Sequence, residues 1–148
     1  MLTGISPLLS PELLMIIAEM GHGDELVIGD GNFPAAAMAQ RLVRADGHRV
    51  KPLLEAILQL FPLDRFVEKP VGLMAVVPGD RTVPTIWEEY RSVVQQLQPE
   101  RIAGGFEMVE RFAFYERTKE AYAVVATGET ELYANIILKK GVVDPAAK

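Results

Sequence analysis

Gly21-His22-Gly23-Asp24-Glu25-Leu26-Val27-Ile28-Gly29-Asp30 is the stretch from which the fold of this chain is read. Its apolar run from Leu26 to Ile28, closed by Gly29 and Asp30, has the length and composition of a buried strand over about 25–29. Just upstream, Ser10-Pro11-Glu12 starts a helix: an N-cap hydroxyl, proline at the first helical position and an acid in the first turn. Leu13, Leu14, Ile16, Ile17 and Met20 follow at helical spacing, and Gly21 is expected to end the helix in the left-handed conformation. His22 then sits in a helix–strand turn, and Asp30 at the carboxyl end of the strand, where open α/β sheets bind ligands. Imidazole exchanges its proton nearest neutrality, so an acid–base pair is the first functional expectation. The alternative is a surface histidine and a turn-forming aspartate.

The same alternation continues outward. Small residues at 35–39 suit a turn or short helix, and Gln40–Ala45 a second strand centred on Leu42-Val43. A helix beginning at Pro52 carries Leu53, Leu54, Ile57, Leu58 and Phe61 on one stripe and stops near Pro62. Val71–Val77 reads as a central strand between prolines. A helix from near Pro84 buries Ile86, Tyr90, Val93, Val94 and Leu97 and ends at Pro99. Phe106–Val109 is a weak strand, Phe112–Glu120 a helix, and Tyr122–Thr127 and Tyr133–Leu138 the closing strands, expected to pair antiparallel. The tail from Val142 to Lys148 is expected to fray. This is one domain over 1–148, of the α/β class, with helices on both faces of a mixed sheet.

Composition narrows the partners. Net charge is −5, with no basic stripe for phosphates, so neither nucleic acid nor an anionic membrane surface is expected. No apolar run approaches the roughly 18 residues of a membrane span. The first Lys or Arg is Arg41, so no signal or transit peptide is expected and the cytoplasm is the expected compartment. There are no cysteines, which removes disulfides, thiolate catalysis and thiolate metal sites. His22 and His48 form no metal motif, and no metal or other cofactor is expected. Mean hydropathy is +0.16, high for a small chain, which suggests apolar surface buried between subunits.

Phosphate loops, the dinucleotide glycine fingerprint and the nucleophile elbow are absent. Tyr133 and Asn135 are two apart, so on a strand both would face one way and offer a hydroxyl and an amide to a sugar. The alternative is a tyrosine packed at a sheet edge and a turn asparagine. Arg111, at a helix start, has donors for a polyol, although a plain surface arginine is the commoner outcome. Trp87, Tyr90, Tyr115 and Tyr122 read as packing, and His48 as exposed.

Ile5-Ser6-Pro7-Leu8-Leu9-Ser10-Pro11-Glu12-Leu13-Leu14, Ala18-Glu19-Met20-Gly21-His22-Gly23-Asp24-Glu25, Arg111-Phe112-Ala113-Phe114-Tyr115-Glu116-Arg117 and Asn135-Ile136-Ile137-Leu138-Lys139-Lys140-Gly141 together resemble the family of L-fucose mutarotases and D-ribose pyranases. The resemblance runs from residue 1 to about 142 and is weakest at 35–40 and 98–105. It implies that His22 is a proton donor and that Asp30, Arg111, Tyr133 and Asn135 contact the sugar. Ala134 occupies a position typically held by glycine, where its methyl is expected to tighten or shift the pocket. It further implies a three-layer α/β/α fold with a mixed, mostly parallel sheet, assembled into a ring-shaped homodecamer with sites where subunits meet.

The activity so implied interconverts the α and β anomers of L-fucose through the open-chain aldehyde. The ring oxygen gains a proton while the anomeric hydroxyl loses one. No group or electron is transferred, so no cofactor is required. A D-ribose pyranase and a non-enzymatic sugar-binding ring are the alternatives. His22 and Asp30 are eight residues apart, roughly 25 Å if extended. Either Gly21, Gly23 and Gly29 bend the path, or each site combines two subunits, and the composite site is preferred.

Overall fold

The computed structural model describes residues 1–147. Within them the helices are α1 (Pro11–Glu19), α2 (Ala35–Met38), α3 (Val50–Leu58), α4 (Ile86–Leu97) and α5 (Arg111–Glu120). The strands are β1 (Glu25–Gly29), β2 (Leu42–Ala45), β3 (Val71–Met74), β4 (Glu107–Val109), β5 (Ala123–Thr127) and β6 (Ile136–Lys139). They form one sheet in the order β2-β5-β1-β6-β3-β4. Five strands run one way. Only β6 runs against them, pairing antiparallel with β1 on one side and β3 on the other.

The alternation of side chains along each strand builds two cores. Leu26 and Ile28 of β1, Val125 of β5 and Ile136 and Leu138 of β6 face α1, α3 and α4. Val27, Val124 and Ile137 face the opposite way, toward Phe33, α2 and Phe114 of α5. Both faces are therefore dry, which is why these strands read as continuous apolar runs. The result is the expected three-layer arrangement with a mixed, mostly parallel sheet. Among the described residues, no helix is long and apolar enough to cross a membrane.

Several boundaries differ from the sequence reading, each for a local reason. The N-cap of α1 is as expected, Ser10 Oγ accepting the Leu13 N–H at 3.1 Å. Its end is not: Met20 is extended (φ −62°, ψ 136°), and the left-handed glycine is Gly23, φ +89°. The Asp24 carboxylate accepts the Gly21 N–H at 2.7 Å, so a side chain closes this turn instead of a left-handed glycine cap. Helix α3 begins at Val50, two residues before Pro52, which proline permits in a first turn that lacks N–H partners anyway. Strand β3 stops at Met74, short of Val77. The closing strands β5 and β6 do not pair, because β1 lies between them. Strand β6 starts at Ile136, which leaves Tyr133, Ala134 and Asn135 in the loop before it. Part of the tail expected to fray forms a 3₁₀ turn at Pro145–Ala147, and Arg65 pairs with Asp144 at 3.6 Å; Lys148 lies outside the described residues.

Candidate active site

Asp30 leaves the carboxyl end of β1 almost fully buried, at 7% exposure, as does Asn135 at 5%. The Asp30 N–H donates to Asn135 Oδ1 at 2.8 Å, and Asp30 Oδ1 accepts the Asn32 N–H at 2.9 Å. Burial pushes the Asp30 carboxyl above the ordinary aspartate value and the nearby Glu129 charge adds to this, against the backbone N–H groups of Asn32, Ala134 and Phe33. A carboxyl held in this way is placed to accept a hydrogen bond from a hydroxyl.

The loop from Gly128 to Asn135 is tied down along its length. The Glu129 carbonyl accepts the Gly31 N–H at 2.8 Å, and the buried Glu129 carboxylate accepts from Val50, Thr130 and Glu131 N–H groups and from Arg49. Tyr133 is held in the left-handed region, φ +57°, which is costly for a residue with a Cβ. Three bonds hold it there. The Trp87 Nε1–H donates to the Tyr133 carbonyl at 2.8 Å, and the Tyr133 hydroxyl donates to Asp80 Oδ2 at 2.6 Å while accepting the Val77 N–H at 3.3 Å. The next carbonyl, of Ala134, accepts the Tyr90 hydroxyl at 2.7 Å. Burial pushes the Tyr90 pKa up, so its proton stays in place as a donor. Bonds from Thr82 and Tyr133 hold the Asp80 carboxyl at about 2, and the bond to Asp80 raises the Tyr133 phenol.

Tyr133 and Asn135 therefore do not share a strand face; a backbone reversal, not strand alternation, places them. Ala134 is fully buried in the core shared with α4, so its methyl packs inward. Trp87, read as packing, is also a hydrogen-bond donor to the loop. Arg111 is exposed as the first residue of α5, with its guanidinium 4.7 Å from the Phe112 ring, and its charge reaches the Tyr133 hydroxyl.

His22 lies elsewhere. Its imidazole is half exposed, Nε2 is 3.1 Å from Asp64 Oδ1, and the Phe66 ring is centred 5.3 Å away. Asp64 is buried, and the same oxygen accepts the Phe66 N–H at 3.0 Å. A carboxylate only accepts, so Nε2 carries the hydrogen and Nδ1 is left as the free basic nitrogen. Sequence reasoning missed Asp64, which is 42 residues from its partner. The one available signal is an acid set directly after the apolar Phe61-Pro62-Leu63.

His22 precedes β1 and Asp30 follows it. Five strand residues at about 3.3 Å each put the two on the order of 16 Å apart. The glycines do not bend the path back. Within one chain the structure gathers Asp30, Tyr133, Ala134 and Asn135, with Arg111 close, and leaves His22 and Asp64 at the other end of the strand. Open grooves of about 630 Å³, beside Arg65 and Arg101, and about 530 Å³, beside Arg117, include none of these residues. His48 is exposed, as expected.

Residues 3–143 match the model of the RbsD / FucU transport protein family. The chain is 51% identical over 142 residues to the L-fucose mutarotase of Actinobacillus pleuropneumoniae, covering 96% of this chain and 97% of that one. It is likewise 51% identical over 147 residues to the human fucose mutarotase, covering 95% and 94%. Among solved structures it is similar to the fucose mutarotase from Streptococcus pneumoniae in complex with L-fucose. The TM-score is 0.90 and the identity 48%, over 97% of this chain and 100% of that one.

Proposed function

The chain belongs to the RbsD/FucU family, and on that premise we propose that it is an isomerase, a mutarotase interconverting the α and β anomers of L-fucose. The observation that carries this reading is the near full-length likeness, at 48% identity, to a fucose mutarotase solved with L-fucose bound. The names of the relatives favour fucose over ribose. Asp30 and Asn135, fixed on each other by the 2.8 Å bond, hold two sugar hydroxyls. Arg111 and Tyr133 bound the same pocket. As the imidazolium, His22 gives its Nδ1 proton to the ring oxygen while the anomeric hydroxyl gives its own to solvent water; the ring opens, and on closure both protons return. Asp64 accepts from Nε2–H, so the proton exchanged with the sugar is the one on Nδ1, and its charge stabilises the imidazolium that carries that proton.

One chain holds the two halves too far apart for one monosaccharide, so the site is composite: His22 and Asp64 of one subunit meet Asp30, Arg111, Tyr133 and Asn135 of a neighbour. Exposed apolar side chains flank each half and support this reading. Phe66 (64% exposed) sits beside His22, Phe112 (61%) follows Arg111 and Leu132 (54%) precedes Tyr133. A closed homodecameric ring buries these surfaces, and the enzyme serves carbohydrate metabolism in the cytoplasm.

Saturation-transfer NMR of anomer exchange tests the activity. Exchange of L-fucose anomers by the parent well above the solvent rate, faster than its action on D-ribose, is expected. Faster action on ribose, or saturable sugar binding without acceleration, overturns the proposal. Mass measurement in solution tests the ring: a monomer active at high dilution contradicts the composite site.

A further inference from the structure

Resting on that reading of His22, we infer that Lys140 is the positioning residue that holds the His22–Asp64 pair together. Helix α1 has no basic residue in its last turn to meet its exposed carbonyls. The Lys140 ammonium, some 120 residues downstream in sequence, supplies the missing cation. Its Nζ donates to the Ile17 carbonyl at 2.8 Å and the Met20 carbonyl at 2.6 Å. These lie just before His22. Just after His22, the Gly23 N–H donates to the Lys140 carbonyl at 2.8 Å, and the Lys140 N–H donates to the Asp24 carbonyl at 2.9 Å. His22 is thus bracketed on both sides by one residue.

The opposite edge of the same segment holds Asp64. Lys140 bridges Leu63, the Asp64 N–H donates to the Lys139 carbonyl at 3.0 Å, and the Gly141 N–H donates to the Pro62 carbonyl at 2.7 Å. The approach is so close that a Cβ at Gly141 would lie 2.7 Å from the Asp64 Cα. The segment 139–141 is a rail with the imidazole turn on one side and the carboxylate turn on the other. The backbone bonds any residue can make; the ammonium on the two carbonyls only a lysine-like cation can. Without it the last turn of α1 is freed, and with it the end of the loop that carries His22.

The test compares the full-length protein with Lys140→Met, which keeps the apolar stem, and Lys140→Arg, which keeps the charge. Misplacing a reacting group by about 1 Å costs up to about 100-fold, so a partial release in Lys140→Met is expected to lower kcat for anomer exchange about tenfold. KM for L-fucose stays within about twofold of the parent, because Asp30 and Asn135 are untouched. The ¹⁵N signals of the His22 ring are expected to move from one dominant tautomer toward a mixture, and Lys140→Arg to restore both readouts. Parent-like kcat and ring signals in Lys140→Met overturn the inference. So does a fall in kcat with unchanged ring signals. If Lys140→Met does not fold, Lys140→Gln, which keeps donors without charge, is judged by the same criteria. Failure of the parent to exchange anomers would sink the proposed function instead, and the ring signals alone would then decide the role of Lys140.

Discussion

Asp64→Asn is the most informative single change, because it alters charge and proton pattern while keeping shape. In the parent, Asp64 Oδ1 accepts both the His22 Nε2–H, at 3.1 Å, and the Phe66 N–H, at 3.0 Å. The introduced amide oxygen can still accept from Phe66, so the loop keeps its backbone bond and the fold loses about 1 kcal/mol or less. The same oxygen still faces the His22 Nε2–H, so what is lost is the carboxylate's charge, which turns a bond worth about 1.5–3 kcal/mol beside the imidazolium into a neutral one worth about 0.5–1.5. At about 1.4 kcal/mol per tenfold, a difference of about 1–1.5 kcal/mol is roughly a 5- to 10-fold fall in kcat. Anomer exchange measured by saturation transfer, alongside calorimetry, separates rate from stability. Exchange within about twofold of the parent would refute the assignment of Asp64.

Other expectations follow from the loop that carries the proposed sugar-binding residues. Tyr90→Phe removes the side-chain donor to the buried Ala134 carbonyl. It should cost about 1–3 kcal/mol, read as a drop of several degrees in Tm; an unchanged Tm contradicts the pinning of this loop. Ala134→Gly empties a methyl from the core, not from the pocket, so it should cost about 1 kcal/mol and leave the preference for fucose over ribose unchanged. A changed preference would show that the methyl faces the sugar. The Asp80 carboxylate is held at about 2, below its ordinary 3.8. A depressed acid stabilises above its unfolded value and loses that contribution as pH falls through the folded one. The Tyr133 ring signals should therefore titrate with a midpoint near 2, and not at all in Asp80→Asn.

The layers of this fold were legible because its strands are dry on both faces: Leu26–Ile28 and Ala123–Thr127 declare themselves by composition. The pairing was not. Nothing in Ile136–Lys139 says that it inserts between β1 and β3 and runs against both, since strand order is decided by contacts distant in sequence. The candidate sugar-binding group was named through the resemblance, while its geometry was misread. Tyr133 stands at φ +57° with no glycine to announce it, and Trp87, Asp80 and Val77, with Tyr90 on the next carbonyl, hold the reversal from more than 40 residues away. The eight-residue spacing from His22 to Asp30 did report correctly that they lie far apart. Asp64 stayed hidden because its partner comes to it through Lys139–Gly141, a third segment.

The most direct measurement is the exchange rate of L-fucose anomers with the parent protein and with His22→Ala, compared at equal concentration and assembly state. General acid–base catalysis is worth about 10²–10⁴-fold, so the parent should accelerate exchange strongly and His22→Ala should lose about that factor while still binding the sugar. A parent that leaves the solvent rate unchanged, or a His22→Ala protein as fast as the parent, would contradict the account.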